Sequence, residues 1–376
     1  MKKVLYGILG VIATLILAVA IIWNGEIRSL AAIHQVSDED PYLFEMDYKA
    51  GYDLDKVLSA GIDGNSKLVE FVIGQLSRGL YKPSLADKSV GNGFACTSFQ
   101  ARNASAEGAD GWLFGRNYDF FKNPTLVLKA SPKKGYRSIS TCDLSHLGYT
   151  LEKLPTSLTA KALCLAAVYA PMDGMNEKGL CISIMALPKQ AAWQDSGKPI
   201  AGTSILMRLV LDRCATVEEA LRLVQSVDVR HDQSVGGGYH YLVADAQGHC
   251  AAIEFDLFDG WKTMILEKPS DAGYMLMTNH LLNPKYYTTE PDPVLGNPHS
   301  RSWWRYAEAD SYLGERSGIV TPDEAAECLS RVHWKDLVWD NGMVEDTQWS
   351  NVYDQSALTL TLRDWNCYDS PRSFAL

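Results

Sequence analysis

Gly93-Phe94-Ala95-Cys96-Thr97-Ser98-Phe99, followed after a polar, Gly-containing turn by Phe114-Gly115-Arg116-Asn117-Tyr118-Asp119, is the stretch on which the reading of this chain turns. Cys96–Arg102 and Trp112–Phe120 are β-like runs of alternating character, and their spacing predicts a hairpin. Gly91-Asn92-Gly93 breaks the chain just before it, so Cys96 opens a strand behind a flexible joint. A lone cysteine is most often a small buried hydrophobe. This one has an arginine and an acid in the neighbouring strand, although Arg116 and Asp119 fall on opposite faces of a regular strand. A strand end or bulge near Tyr118 would bring both beside Cys96. Taken alone, that spacing is equally an ordinary ion pair.

The pattern on either side sets the class. The 376 residues are 47% apolar and 21% charged, which suits a globular chain with a large core. The net charge is −10 and no basic cluster is present, which excludes a phosphate-neutralising nucleic-acid binder. Eight cysteines are too few for a disulfide-stapled miniprotein. An odd seven remain once Cys96 is set apart, so few or no disulfides are expected.

Upstream, Lys2 and Lys3 precede an uncharged run from Val4 to Trp23, long enough to span a hydrocarbon core as a helix. Residues 1–23 therefore read as a transmembrane signal-anchor, with a signal peptide cut near Ala18-Val19-Ala20 as the alternative. Either places the remainder outside the cytoplasm, membrane-anchored or secreted. Residues 24–95 read as a small helical pro-segment, with an acidic patch at Asp38-Glu39-Asp40 and helices near Leu54–Ala60 and Ser66–Leu76. Asn65 or Ser66 is the expected cap of the second helix.

Downstream, further strands are expected at Thr125–Ala130, Leu163–Tyr169, Leu180–Ala186, Tyr239–Ala244, Cys250–Phe255, Lys262–Glu267, Tyr274–Thr278 and Ala357–Leu362. Helices are expected at Ser204–Cys214, Val217–Val227, Ser302–Leu313 and Pro322–Val332, with Thr216 and Thr321 as caps. Strand pairs separated by helix pairs suggest antiparallel sheets covered by helices. No CxxC, no HExxH, no P-loop, no GxSxG and no zinc-type Cys/His spacing occurs, so no cofactor and no metal are expected.

The quoted stretch resembles the start of the mature choloylglycine hydrolase and penicillin V acylase family. These are linear amide C–N hydrolases of the N-terminal-nucleophile superfamily, related to acid ceramidases. The resemblance continues in order through Asp173-Gly174-Met175-Asn176-Glu177-Lys178-Gly179-Leu180, Tyr239–Gly248 with the apolar strand ending at Glu254, Thr278-Asn279-His280 and Ser300-Arg301. It implies an α+β, four-layer αββα fold with two stacked antiparallel sheets between helix layers, occupying residues 96–376. It also implies that cleavage at Ala95–Cys96 exposes a nucleophile whose own α-amine is its base. In this scheme Arg116 supplies positive charge, Asp119 holds the α-amine, Asn279 donates to the oxyanion and Arg301 organises the pocket. Ala186 stands where many members carry Asn or Tyr near the oxyanion and offers only its backbone, which blocks transfer of bile-salt or penicillin V specificity. The substrate implied is a small-molecule N-acyl amide, and a homo-oligomer is a further implication. Two other readings stay open: a cysteine acyltransferase using the same site, and a non-catalytic exported binding protein.

Overall fold

The computed structural model describes Tyr6, residues 13–14, 17–81, 95–106, 111–188, 191–233, 237–283, 285–286, 301–338, 342 and 344–376. Half of the run Val4–Trp23 lies outside the described residues, as do Gly91–Phe94 and Ser300. No helix among the described residues is long and apolar enough to cross a membrane.

In chain order the strands are β1 (His34–Ser37), β2 (Asp40–Tyr48), β3 (Ala95–Asn103), β4 (Gly111–Phe121), β5 (Thr125–Ala130), β6 (Ser138–Asp143), β7 (Asp173–Asn176), β8 (Cys181–Pro188), β9 (Ile200–Gly202) and β10 (Asp228–Arg230). They continue as β11 (Gly237–Ala244), β12 (Cys250–Phe255), β13 (Thr263–Glu267), β14 (Tyr274–Met277), β15 (Ile319–Val320), β16 (Leu337–Val338), β17 (Val344–Asp354), β18 (Thr359–Asp364) and β19 (Arg372–Ala375). The principal helices are α1 (Asn24–Ala32), α2 (Leu54–Ala60), α3 (Asn65–Leu76), α4 (Thr203–Arg213), α5 (Val217–Gln225), α6 (Ser302–Glu315) and α7 (Pro322–Arg331).

One sheet runs β1-β2-β5-β6-β7-β8-β11-β12-β13, and the other runs β14-β3-β4-β17-β18-β19 with β15 and β16 at its margins. Within these sheets pairing is antiparallel except between β2 and β5 and between β3 and β15, and β9 and β10 form a separate parallel pair. In β3 the residues alternate. Cys96, Ser98 and Gln100 share a face with Tyr118, Arg116 and Phe114 across the ladder, and Ser183 Oγ of β8 donates to Ser98 Oγ at 2.9 Å from the facing sheet. Phe99 and Ala101 point the other way, into a core with Leu313 of α6 and Ala325 and Leu329 of α7. The first sheet is covered on its far side by α4 and α5, whose Leu209, Val210, Ala220 and Val224 are buried. The layers are therefore helix, sheet, sheet, helix. The capping box of Thr321 and Glu324 and the Thr216 cap fix the starts of α7 and α5.

Gly115 shows why the second motif carries glycine. It lies directly across from Phe99, and a Cβ there would sit 2.4 Å from the ring. Gly115→Ala is expected to destabilise the chain by about 1–3 kcal/mol through overpacking. A Phe99→Leu background should recover part of the loss in the urea midpoint.

Three expectations are corrected. Ala162–Tyr169 forms a 3-10 helix rather than a strand. The run is buried from Cys164 to Tyr169, and a short run apolar on every side carries no period to distinguish helix from strand. β11 opens at Gly237, two residues ahead of the expected start at Tyr239. The segment ahead of Cys96 is not merely helical: β1 and β2 extend the first sheet, and β2 lies in register along the whole of β5. Its helices fall where expected, but Leu68 and Val72 are the buried residues of α3. The cap of α3 comes from a distant residue, Asp232 Oδ2, which accepts from Asn65 N at 2.8 Å. All eight cysteines are free thiols.

Candidate active site

Cys96 stands at the end of a central strand, fully buried. Its backbone N donates to Asn279 Oδ1 at 2.7 Å. Its backbone O accepts from Arg305 Nη1. Burial pushes the thiol up to about 11, and the charge of Arg116 is the largest influence opposing that.

Arg116 reaches Cys96 because both lie on the same face of the β3–β4 pair, two residues apart in register. Its fork is fixed by two carbonyls, Asn117 O at 2.9 Å and Ile184 O at 2.7 Å. Its Nε faces Asp173 Oδ2 at 3.7 Å, both groups buried. Asp173, the first residue of the segment quoted above, accepts from Trp349 Nε1 and Asn351 Nδ2, each at 2.8 Å, and from the Tyr353 hydroxyl. Asp173 therefore orients Arg116. The sequence had marked its motif without giving it a role.

Asp119 comes from the opposite face, across from Ala95. The bulge expected near Tyr118 sits in the partner strand, where Tyr118 pairs with Trp349 and Asp119 with Thr347, leaving Gln348 extra. Asp119 Oδ1 accepts from Thr347 Oγ1 at 2.6 Å. Its Oδ2 is buried with no hydrogen-bond partner. Burial raises this carboxyl to about 6, with Arg305 the largest opposing influence.

Arg305, rather than Arg301, is the second guanidinium of the site. Arg301 is exposed at the start of α6 in a left-handed conformation. Arg305, one turn further on, is fully buried. It donates to Thr97 Oγ1 at 3.0 Å and to Asn279 Oδ1 at 2.6 Å, and its Nη1 lies 3.9 Å from Asp119 Oδ2. The expectation for Arg301 is corrected accordingly. The sequence signal was present: in a helix whose first turn holds Arg301, the residue four positions on rises from the same edge one turn deeper.

Asn279 Nδ2 donates to Ala186 O at 2.8 Å. The buried Ala186 thus presents its carbonyl to Asn279, where the sequence had credited it with an N–H. The Asn279 amide carries two hydrogens, so one bond to Ala186 orients the group. Ser302 Oγ accepts from Asn279 N at 2.9 Å and fixes the backbone. Tyr239, paired with Ala186, is raised by burial and by the charges of Asp232 and Cys96, which places it beside the pocket. The described residues hold one cluster of possible metal ligands, Asp40, Asp364 and Cys367, and it shares no residue with this site.

A cysteine opening a strand, an arginine held against its thiol and two stacked sheets between helix layers define the N-terminal-nucleophile hydrolase fold. Residues 106–363 match the family model of acyl-coenzyme A:6-aminopenicillanic acid acyl-transferase, and the chain belongs to that family of enzymes. Cys96 lies just ahead of the matched segment.

Among solved structures, the chain is similar to a conjugated bile acid hydrolase from Clostridium perfringens in two variant forms. One is 13% identical over 75% of this chain and 92% of that one, and the other 14% over 74% and 92%, each with a TM-score of 0.50. A penicillin V acylase from Agrobacterium tumefaciens is 19% identical over 74% of this chain and 85% of that one, with a TM-score of 0.48. The first two share this chain's fold. No curated protein matches the chain.

Proposed function

We propose that this chain is the precursor of an amidase that cleaves a linear C–N bond of an N-acyl amide, with Cys96 as nucleophile once the Ala95–Cys96 bond is cut. The observation that carries the reading is the placement of Cys96, with the buried Arg116 guanidinium stabilising its thiolate by charge and its nitrogen 2.7 Å from Asn279 Oδ1. In the uncut chain that nitrogen is an amide and cannot accept a proton. After cleavage it is an amine, whose ordinary pKa near roughly 7.7–8.0 lies close to that of a free thiol at roughly 8.5. The amine then takes the thiol proton, and Arg116 stabilises the thiolate. The thiolate adds to the substrate carbonyl, and Asn279 Nδ2 supports the oxyanion, a type of contact worth about 3–4 kcal/mol. The amine product leaves with a proton, and water hydrolyses the thioester. Asp119, with one oxygen lacking a donor, accepts from the new ammonium group.

Mass and N-terminal sequencing of the 24–376 chain, followed by turnover of a panel of N-acyl amides, tests the reading. A wild type that stays uncut and inactive would refute it. Bile-salt and penicillin V amides belong in that panel because related folds act on them. The family's own name favours a second reading, transfer of the acyl group to an amine. Added amine acceptors that raise acyl-amine product at the expense of free acid would support transfer.

The environment of Asp119 gives a pH prediction for the uncut chain. Its carboxyl is raised to about 6. Before cleavage the Cys96 nitrogen cannot take the thiol proton, so ionised Asp119 serves as the base there. Processing should therefore accelerate as pH rises through about 6 and level off above. A time course on gels across pH reads this, and Asp119→Asn should remove the acidic limb.

We also propose that the segment ahead of Cys96 remains bound after cleavage and tethers the enzyme to a membrane through residues 4–23. The β2–β5 ladder supports retention, as do Tyr48 OH to Leu165 O at 3.1 Å and Tyr52 OH to Asp212 Oδ1 at 3.1 Å. A catalytic part that washes freely from membranes after processing would refute the tether.

A further inference from the structure

Asp40 opens β2, in the segment ahead of Cys96, whereas Asp364 closes β18 and Cys367 sits in the turn beyond it. A carboxylate oxygen from each aspartate and the cysteine sulfur lie within 4.8 Å of one another. Both carboxylates are deeply buried, Asp40 1% and Asp364 3% exposed. One oxygen of each is held in place. Asp40 Oδ1 accepts from Tyr42 N at 3.1 Å and Asn366 Nδ2 at 3.4 Å. Asp364 Oδ1 accepts from Cys367 N at 3.1 Å. The remaining oxygen of each, Oδ2, is buried with no hydrogen-bond partner.

Two buried carboxylates this close cannot both stay charged in a low-dielectric seam without a proton or a cation between them. Arg372, from β19, does not neutralise them. It donates to Ser37 Oγ at 3.3 Å and pairs with Glu39 at 3.5 Å, rather than with either aspartate. Cys367 is half-exposed and gives the cluster both access and a soft donor. Its sulfur lies 3.7 Å from Glu39 O and 3.7 Å from Asn366 Nδ2.

We propose that Asp40, Asp364 and Cys367 form a binding site for a thiophilic divalent cation of the Zn²⁺ class, which joins the segment ahead of Cys96 to the last strands of the chain. Calcium and magnesium take oxygen donors throughout, whereas two carboxylates and a thiolate match zinc, with water or the Glu39 carbonyl completing a tetrahedron. Binding releases the Cys367 thiol proton and the proton between the carboxyls to solvent, leaving three anionic ligands on a dication. The backbone bonds to each Oδ1 orient the carboxylates for this role. If the chain is cut at Ala95–Cys96, the cation becomes a cross-link between two polypeptides. That consequence rests on the cleavage reading, whereas the site itself does not.

The test uses the full chain carrying Cys96→Ala, which stays in one piece and removes the active-site thiol from the measurement. Titration with Co²⁺ should give a thiolate-to-cobalt charge-transfer band that saturates near one equivalent. Cys367→Ser should abolish the band, and Asp364→Asn should weaken Co²⁺ binding by at least about tenfold. Zn²⁺ should raise the melting temperature of the parent but not of the Cys367→Ser chain, whose half-exposed position leaves the fold intact. Absence of the band together with a melting temperature indifferent to Zn²⁺ overturns the site.

Discussion

Arg305→Ala is expected to block processing and to destabilise the chain by about 3–5 kcal/mol, while Arg301→Ala changes stability by no more than about 0.5 kcal/mol. The two residues lie one turn apart on α6, and burial separates them. Arg305 is enclosed against Cys96 O, Thr97 Oγ1 and Asn279 Oδ1. It is also the largest influence lowering the Asp119 carboxyl. Without it, Asp119 loses its main compensating charge and the oxygen of Asn279 loses its second donor. Arg301 is exposed, so its removal takes no buried charge out of balance. Urea denaturation and a processing gel on both variants read the contrast directly. Arg305→Lys keeps the charge but not the planar fork, and should restore stability more than processing. Equal losses for Arg301→Ala and Arg305→Ala would return the pocket role to Arg301.

Cys96→Ala should leave the chain at its full mass and lower turnover by roughly 10⁴-fold or more, because the acyl intermediate forms on the Cys96 sulfur. Cys96 is small and its backbone bonds to Asn279 and Arg305 survive the substitution. Folding should therefore be preserved, and the loss is assignable to chemistry. Intact mass, a melting curve and single-turnover assays on the same sample separate these effects. Turnover that persists in the uncut Cys96→Ala chain would remove Cys96 from the mechanism. Ligand binding that persists without turnover in both chains would move the binding-protein reading to the front.

Much of the strand order was legible where one face of a strand is apolar. β5 and β12 fall at the expected bounds, and β3 and β4 differ from expectation only at their ends. β17 was not foreseen, although it is central to its sheet and supplies the site's supports. Its sequence, Val-Glu-Asp-Thr-Gln-Trp-Ser-Asn-Val-Tyr-Asp, reads as polar loop, yet most of it is buried. Its side chains find partners only in the folded state. Thr347 bonds to Asp119, Ser350 to Asn117, and Trp349 and Asn351 to Asp173. A hydropathy pattern cannot reveal a strand whose buried groups are satisfied by other elements. β1 and β2 were hidden for a related reason: the acidic patch at their turn drew the eye, and the buried residues Leu43, Phe44, Met46 and Tyr48 find their cover only against β5 and the layers beneath it.

The sequence by itself determined the hairpin that carries Cys96 and Arg116, the capped helices and the order of the motifs, because these depend on residues near one another along the chain. Tertiary structure alone decided that Asp173 holds Arg116, that Asp232 caps α3 and that Asp40 meets Asp364 and Cys367, and it settled which of the two arginines one turn apart is buried in the pocket. Each of these depends on burial and on which distant groups are brought within hydrogen-bond range. A buried charge or polar group is stable only with a partner, and the fold, not the local spacing, supplies that partner.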